Sequence, residues 1–502
     1  MGKNRKLKSN PAYKNIFKAT SLFGGVQVFQ VIINLLRGKI IAVLLGASGM
    51  GLNTLFSSTI TMISNLTGLG LNFSAVRDIS RSKESGESEN LGRTVSVLKK
   101  WLIISATAGV TIIIASSPLL SLYTFKNYNY IWAFVLLSLM LLFNTLSSGN
   151  ASVLQGTRSL KYYALHSLTG SLAALIVSAP LYLFFGVKGI VPALIITALV
   201  TYLFSQYYVS RVKISKVKVG FREAVREGGG MVKLGVAMML ATTIAAIVNY
   251  LINTFISNYG SMSDLGFYQA GMSITSQSIG LVFTAMAIDY YPKLSAVSHD
   301  NNEVRKMVNQ QGVVTMLIAP PVLLLVILFT PLVIKILLSE QFTTIIDFIR
   351  ILAFGMFFKA ASYSIGAISF AKGDKKVFFL LEGVGMNSAN LLFLTIGYTI
   401  GGLNGLSYAF LLMHILYFII INLITKKLYN FRLSYGLIKI IFLQFALFVV
   451  AFFSLRFLSG GLVYIVSGLS GAASLVYSYI TLSRLTGIKE YLISKFRRNT
   501  PG

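Results

Sequence analysis

The sequence predicts an all-α polytopic membrane protein built as two like six-helix bundles, followed by two further membrane helices. Three observations carry that expectation. In 502 residues, 55% are hydrophobic and 12% charged, with a mean hydropathy of +0.73; soluble domains carry about a quarter charged residues. The basic residues sit between the apolar runs rather than within them. The chain also repeats itself at a spacing of about 216 residues.

Crossing hydrocarbon takes about 20 apolar residues. That length marks fourteen spans: 20 to 45, 51 to 75, 100 to 122, 130 to 154, 162 to 185, 189 to 209, 233 to 257, 265 to 290, 311 to 337, 345 to 370, 377 to 399, 404 to 425, 437 to 457 and 461 to 483. Residues 1 to 19 are basic, and the first apolar run is too long and too polar for a cleavable signal peptide. Met1-Gly2 followed by Lys6 lacks the hydroxyl residue of a myristoylation site. Lys and Arg gather in that terminus and in alternate connections, while the remaining connections hold only Lys126 and Lys188. By the positive-inside rule both termini then face the cytoplasm.

The repeat fixes the organisation. Asn34-Leu35-Leu36 matches Asn249-Tyr250-Leu251, Ser48 to Leu52 matches Ser263 to Phe267, and Gly156-Thr157-Arg158 matches Gly373-Asp374-Lys375. Gly186, Gly189 and Ala193 match Gly402, Gly405 and Ala409. Residues 20 to 210 are thus expected to form an amino-terminal six-helix lobe and 231 to 425 its copy, joined by a cytoplasmic linker at 211 to 230. Six spans being an even number, the two lobes share an orientation and a pseudo-twofold axis along the membrane normal, a transporter architecture. Accessory helices 13 and 14 (437 to 483) and a basic tail (484 to 502) follow.

A formal net charge of +29 does not point to nucleic acid, because the basic residues are spread among loops rather than gathered on a soluble unit. With no cysteine and three scattered histidines, His166, His299 and His414, neither a disulfide, a thiolate nucleophile, a metal site nor any other cofactor is expected.

Polar stripes mark the working faces. In the first span Gln27, Gln30, Asn34 and Arg37 follow at steps of three, four and three, one face of a helix. A charge near mid-hydrocarbon costs between about 3 and 15 kcal/mol, so such a face turns to protein or to a watery cavity. Ser57, Thr61, Ser64 and Gly68 do the same in the second span, Thr242, Asn249 and Asn253 in the seventh, and Gln269, Ser273, Ser276 and Gly280 in the eighth. Helix packing accounts for any one Ser or Gly; four stripes on repeat-related spans favour a cavity.

Charges inside the spans are few. Asp347 and Arg350 are one turn apart and satisfy each other, while Lys335 and Arg456 are near enough to span ends to snorkel. Asp289, at a span edge, is read as either a cap or an ion-coupling group. Glu382 is open between a salt bridge to Lys359 or Lys372 and a titrating role. Arg37 and Lys359 lie nearest mid-membrane with no acid within a turn. His166 and His414 read as packed histidines. The excess of cations over acids suits an anion such as a pyrophosphate.

These residues resemble the O-antigen and enterobacterial-common-antigen (Wzx-type) flippases of the multidrug/oligosaccharidyl-lipid/polysaccharide exporter superfamily. The resemblance runs through Lys18-Ala19, Gly38-Lys39, Ala42-Val43, Gly46, Gly49, Gly51-Leu52, Pro292, Leu294 and Ser295. Its most specific stretch takes in Leu338-Ser339, Phe342-Thr343, Asp347-Phe348, Gly355, Lys359, Tyr363, Gly366, Ala371-Lys372 and Glu382. Arg37 departs from it, standing where an apolar residue is expected, whereas Lys39 fits but points about 120° from the stripe. Either the helix bends near Gly38 or only one of the two faces the cavity.

The resemblance implies a MATE-like two-lobe fold and a transporter, not an enzyme, of the bacterial inner membrane. The cargo it implies is an undecaprenyl-pyrophosphate-linked oligosaccharide, moved by alternating access. Arg37, Lys39 and Lys359 are expected to hold the pyrophosphate, and Gln27, Gln30, Asn34 and Asn249 the sugars. Glu382 or Asp289 would couple transport to a proton or sodium gradient, with a polysaccharide polymerase and a chain-length regulator as partners. The alternative is a MATE-type multidrug or cation antiporter, which would need carboxylates in the first six spans; these hold none outside loops.

Overall fold

A chain that crosses lipid must satisfy its own backbone hydrogen bonds, and within one span only a helix does so. The computed structural model describes residues 11–486, with side chains from 25 to 485 except 285 and 287–289, and within that range it contains helices and connecting turns and no strand. Nine stretches among the described residues are apolar and long enough to cross a membrane. The protein is an all-helical polytopic membrane protein.

The chain packs as two compact units, Met1–Asn258 and Tyr259–Gly502. The first runs α1 (Pro11–Leu44), α2 (Gly46–Thr67), α3 (Leu71–Glu84), α4 (Ser88–Phe125), α5 (Ile131–Gly156), α6 (Leu160–Phe185), α7 (Ile190–Ser210) and α8 (Phe221–Tyr259). One apolar cluster packs Leu71, Ala75 and Ile79 of α3 against Leu91, Val95, Leu98 and Leu102 of α4, with Val153 and Leu154 of α5, Val209 of α7 and Met231 of α8. The segment between α7 and α8, expected as part of a cytoplasmic linker, lies along α4: Ser96 donates to the Val217 carbonyl (2.8 Å) and Lys100 to that of Val219, while the Trp101 indole donates to the Ala224 carbonyl in the first turn of α8 (3.0 Å). Arg93 pairs with Glu223 and Glu227 of α8. At its other end, α8 binds α4 again through Tyr250 and Thr124 hydroxyls 2.8 Å apart.

The second unit runs α9 (Met262–Ala296), α10 (Asn301–Leu337), α11 (Ile346–Ala371), the single turn α12 (Lys375–Phe378), α13 (Met386–Tyr429), α14 (Tyr435–Phe457) and α15 (Gly461–Thr486). Side-chain caps start several of these: Ser261 accepts from the Asp264 amide (3.0 Å), Asp300 from Asn302 (2.7 Å), and Ser434 from Leu437 (3.2 Å). α11 is the axis, packed by α9, α10, α13 and α14. The last two helices are tied together by buried Gln444, which donates to Ser478 (2.9 Å) and accepts from Ser474 (2.6 Å), and both lie on α10.

The repeat has a local structural counterpart. α6 and α7 are separated by the four-residue corner Gly186–Gly189, and α13 is broken at Gly401 and Gly402. Gly186 has φ 54° and ψ −134°, and Gly402, 216 residues on, has φ 58° and ψ −141°. Only glycine enters that region without strain. A Cβ on Gly189 would fall 2.2 Å from the Leu181 carbonyl oxygen, and one on Gly405 would fall 2.1 Å from that of Gly397, positions again 216 apart. The third sequence match shifts by two: the left-handed residue after α5 is Arg158 (φ 51°), whose conformational partner after α11 is Gly373 (φ 69°).

Because the obstructing atom at Gly405 is backbone, Gly405→Ala is expected to destabilise the folded protein by about 1–3 kcal/mol. Gly468→Ala, with open space around it, should be neutral; thermal unfolding of the two purified variants in one detergent checks the difference.

Candidate functional site

Between Ile351 and Ser369 every residue of α11 is buried except Phe358, Lys359, Tyr363 and Gly366. The last three follow at steps of four and three and so share a face. Lys359, at the midpoint of the helix, keeps an exposed surface while the residues on the other faces of the helix are buried. It makes no ion pair within 4 Å among the described residues.

Around this stripe the second unit gathers its polar groups. Glu382 sits in a π-helical turn, Phe379–Gly385, leading into α13. The extra residue of such a turn frees backbone carbonyls, and the Asn387 side chain donates to two of them, Glu382 (3.2 Å) and Gly383 (2.6 Å). The Glu382 carboxylate accepts from the Tyr417 hydroxyl. Gly366 makes room for this pair: a Cβ there would lie 2.9 Å from Glu382 Oε1 and 3.2 Å from the Tyr417 oxygen. Tyr363 stacks on Phe283 of α9 with ring centres 4.3 Å apart, donates to the Phe283 carbonyl (2.9 Å), and neighbours Tyr291. Lys359 feels the charge of Glu382 and borders His414. His414 lies three residues before Tyr417, hence on the same side of α13.

In the first unit, Val26, Ile33, Ile41 and Ala42 form the buried seam of α1. Gln30 and Arg37 flank it, half-buried; Gln30 donates to Ser167 of α6, while the Arg37 Nε is enclosed with no partner among the described residues. Gln27 and Asn34 are exposed. Lys39 shares its face with the exposed apolar Ile32, Leu36 and Val43 and does not join Arg37. Asn249 of α8 is exposed and accepts from Asn253 (2.7 Å). The side chain of Asp289 lies outside the described residues.

Sequence reasoning singled out Lys359 and Glu382 but not the groups that tie them together. Tyr417 replaces Lys372 as the partner of Glu382; Lys372 instead donates to the Ser298 carbonyl (2.6 Å). The three-residue step from His414 to Tyr417 was the available signal. The Asp347–Arg350 pair forms as expected, at 3.5 Å.

Residues 40–347 match the family model described as "Polysaccharide biosynthesis protein". The chain is 22% identical over 392 residues to the lipid III flippase of Escherichia coli (strain K12), covering 76% of this chain and 92% of that one. It is 23% identical over 346 residues to a putative O-antigen transporter of Shigella flexneri, covering 67% and 80%. Among solved structures, lipid II flippase MurJ in an inward closed conformation superposes with a TM-score of 0.72 at 14% identity, over 92% of this chain and 99% of that one. An inward-facing MATE family multidrug transporter gives 0.68 at 16% identity, over 82% and 96%. These likenesses bear out the MATE-like fold class. With a family model matched over more than half its length, the chain belongs to the polysaccharide biosynthesis protein family.

Proposed function

We propose that the protein is a flippase that moves a lipid-linked oligosaccharide, an O-antigen unit or related surface polysaccharide precursor on undecaprenyl pyrophosphate, across the bacterial inner membrane. The observation that carries this reading is Lys359: a cation at mid-helix with an exposed surface and, among the described residues, no acid within ion-pair distance. Such a charge is costly unless hydrated or matched by an anion, and a pyrophosphate supplies the match. The relatives' names, a lipid III flippase and a putative O-antigen transporter, support the substrate class.

The sugars set the physical problem. Each unpaired hydroxyl drawn through hydrocarbon costs several kcal/mol, so the passage must substitute for water while the polyprenyl tail stays in lipid. Gln27, Asn34 and Asn249 expose amides for that purpose, and Gln30 is held toward α6. Arg37, whose buried Nε has no partner among the described residues, is the first unit's candidate for a phosphate contact. Lys39, on the apolar face of α1, is the weaker candidate for a phosphate contact. Alternating access by the two lobes would carry the headgroup from one leaflet to the other, and no covalent chemistry is required.

Ion coupling is assigned to Glu382 or Asp289, exchanging a proton or sodium; Glu382 sits on a π turn and is clasped by Tyr417. A polysaccharide polymerase and a chain-length regulator are the proposed partners downstream, and both termini are placed in the cytoplasm. A cation antiporter is disfavoured by the lack of carboxylates in the first six spans.

Deleting the gene is expected to accumulate lipid-linked oligosaccharide on the inner leaflet; the intact gene should reverse this and Lys359→Ala should not, with at least about a tenfold loss of surface polysaccharide, the equivalent of one charge-assisted contact. Glu382→Gln should remove the dependence of transport on the ion gradient; unchanged dependence would sink the coupling role. Because the chain has no cysteine, an impermeant thiol reagent on intact cells should label Asn127→Cys and spare Ser215→Cys if the termini are cytoplasmic.

A further inference from the structure

His414 is the least explained polar group in the second unit. It is 2% exposed, and neither ring nitrogen has a hydrogen-bond partner. Its one close ring contact is Phe410, edge-on at 4.4 Å. A neutral imidazole carries one donor and one acceptor, and leaving both unmade in a buried position costs about 1–3 kcal/mol each. Native structures seldom tolerate such a group without a use for it.

Its surroundings suggest the use. The charge of Lys359 on α11 reaches it; Lys359 in turn feels Glu382 on the π turn, and Tyr417, three residues on from His414, holds that carboxylate. Tyr417 is committed to Glu382. The ammonium of Lys359, with three donors and a long flexible stem, is left as the group able to fill the free acceptor of the imidazole. The same ammonium, extended the other way, reaches the water-accessible side of α11.

We propose that His414 is a positioning residue that withdraws Lys359 from the cargo: the ammonium is handed between the cargo's anionic group and an internal acceptor set formed by the His414 imidazole and the Glu382 carboxylate. The inference rests on the flippase reading and adds to it the step that reading lacks, namely how a cationic site lets go of a doubly charged headgroup. Release is assisted because a competitor for the cation is built into the wall beside it. His414 itself touches no cargo and acts only through Lys359.

The test uses the full-length protein in lipid nanodiscs with farnesyl pyrophosphate as the probe, beside surface-polysaccharide output in cells. His414→Leu removes the acceptor without breaking any hydrogen bond present, so the protein should fold; His414→Met serves the same comparison if the leucine variant does not. The expected result is a split: the probe binds about tenfold tighter, as when one competing charge-assisted bond is lost, while turnover falls severalfold. His414→Gln, which keeps an acceptor, should restore both. The gain should vanish in His414→Leu/Lys359→Met, which should bind like Lys359→Met alone. Lys359-dependent binding that His414→Leu leaves unchanged or weaker overturns this inference alone. Binding indifferent to Lys359→Met overturns the pyrophosphate reading and this inference with it.

Discussion

An ammonium ion cannot be stranded in hydrocarbon, and most of the second unit can be understood as the accommodation of that one fact at Lys359. The helix that carries it is enclosed by α9, α10, α13 and α14, so that lipid is kept away from its flanks. The single face left open bears Lys359, Tyr363 and Gly366. Small side chains on the rest of α11, among them Ala353, Gly355, Ala360, Ala361 and Ala367, permit the close approach that excludes water elsewhere. The cation is therefore exposed on one side and packed on the others, a setting in which a fixed charge attracts an anion more strongly than in open water.

The two units divide the labour unequally. The first offers amides along α1 and α8 and the cations Arg37 and Lys39, with no acid in its spans. The second holds the carboxylate, the tyrosines and the histidine beside Lys359. If the repeat descends from a duplication, the copies have diverged most where charge matters and least at their glycine corners. A backbone break admits few substitutes, whereas a polar group can be replaced by any neighbour that keeps the local charge balanced.

Much of this was legible in the sequence. Apolar runs mark the helices because lipid imposes a length and a composition, and the 216-residue period was readable because glycines at positive φ resist replacement. Lys359 and Glu382 stood out because ionised groups in a span are rare. What the sequence hid is lateral: which helix lies beside which. Nothing in the order of residues says that Tyr417, 35 positions on, would clasp Glu382, or that Gly366 is small to make room for them. The π turn was equally hidden, since it is recognised by its hydrogen bonds and not by its composition. The stretch 211–220 was legible only as a linker: nothing in its charge says that the Val217 and Val219 carbonyls would be bound by α4.

The glycine corners have a consequence beyond folding. At Gly186–Gly189 and at Gly401–Gly402 the chain turns within a few residues, and at the first corner the Gly186 amide is bound by the Tyr182 carbonyl and the Ile190 amide by that of Val187. A protease must draw an extended strand into its cleft, and corners this tight leave little slack to draw, so the folded protein is expected to resist nicking at both.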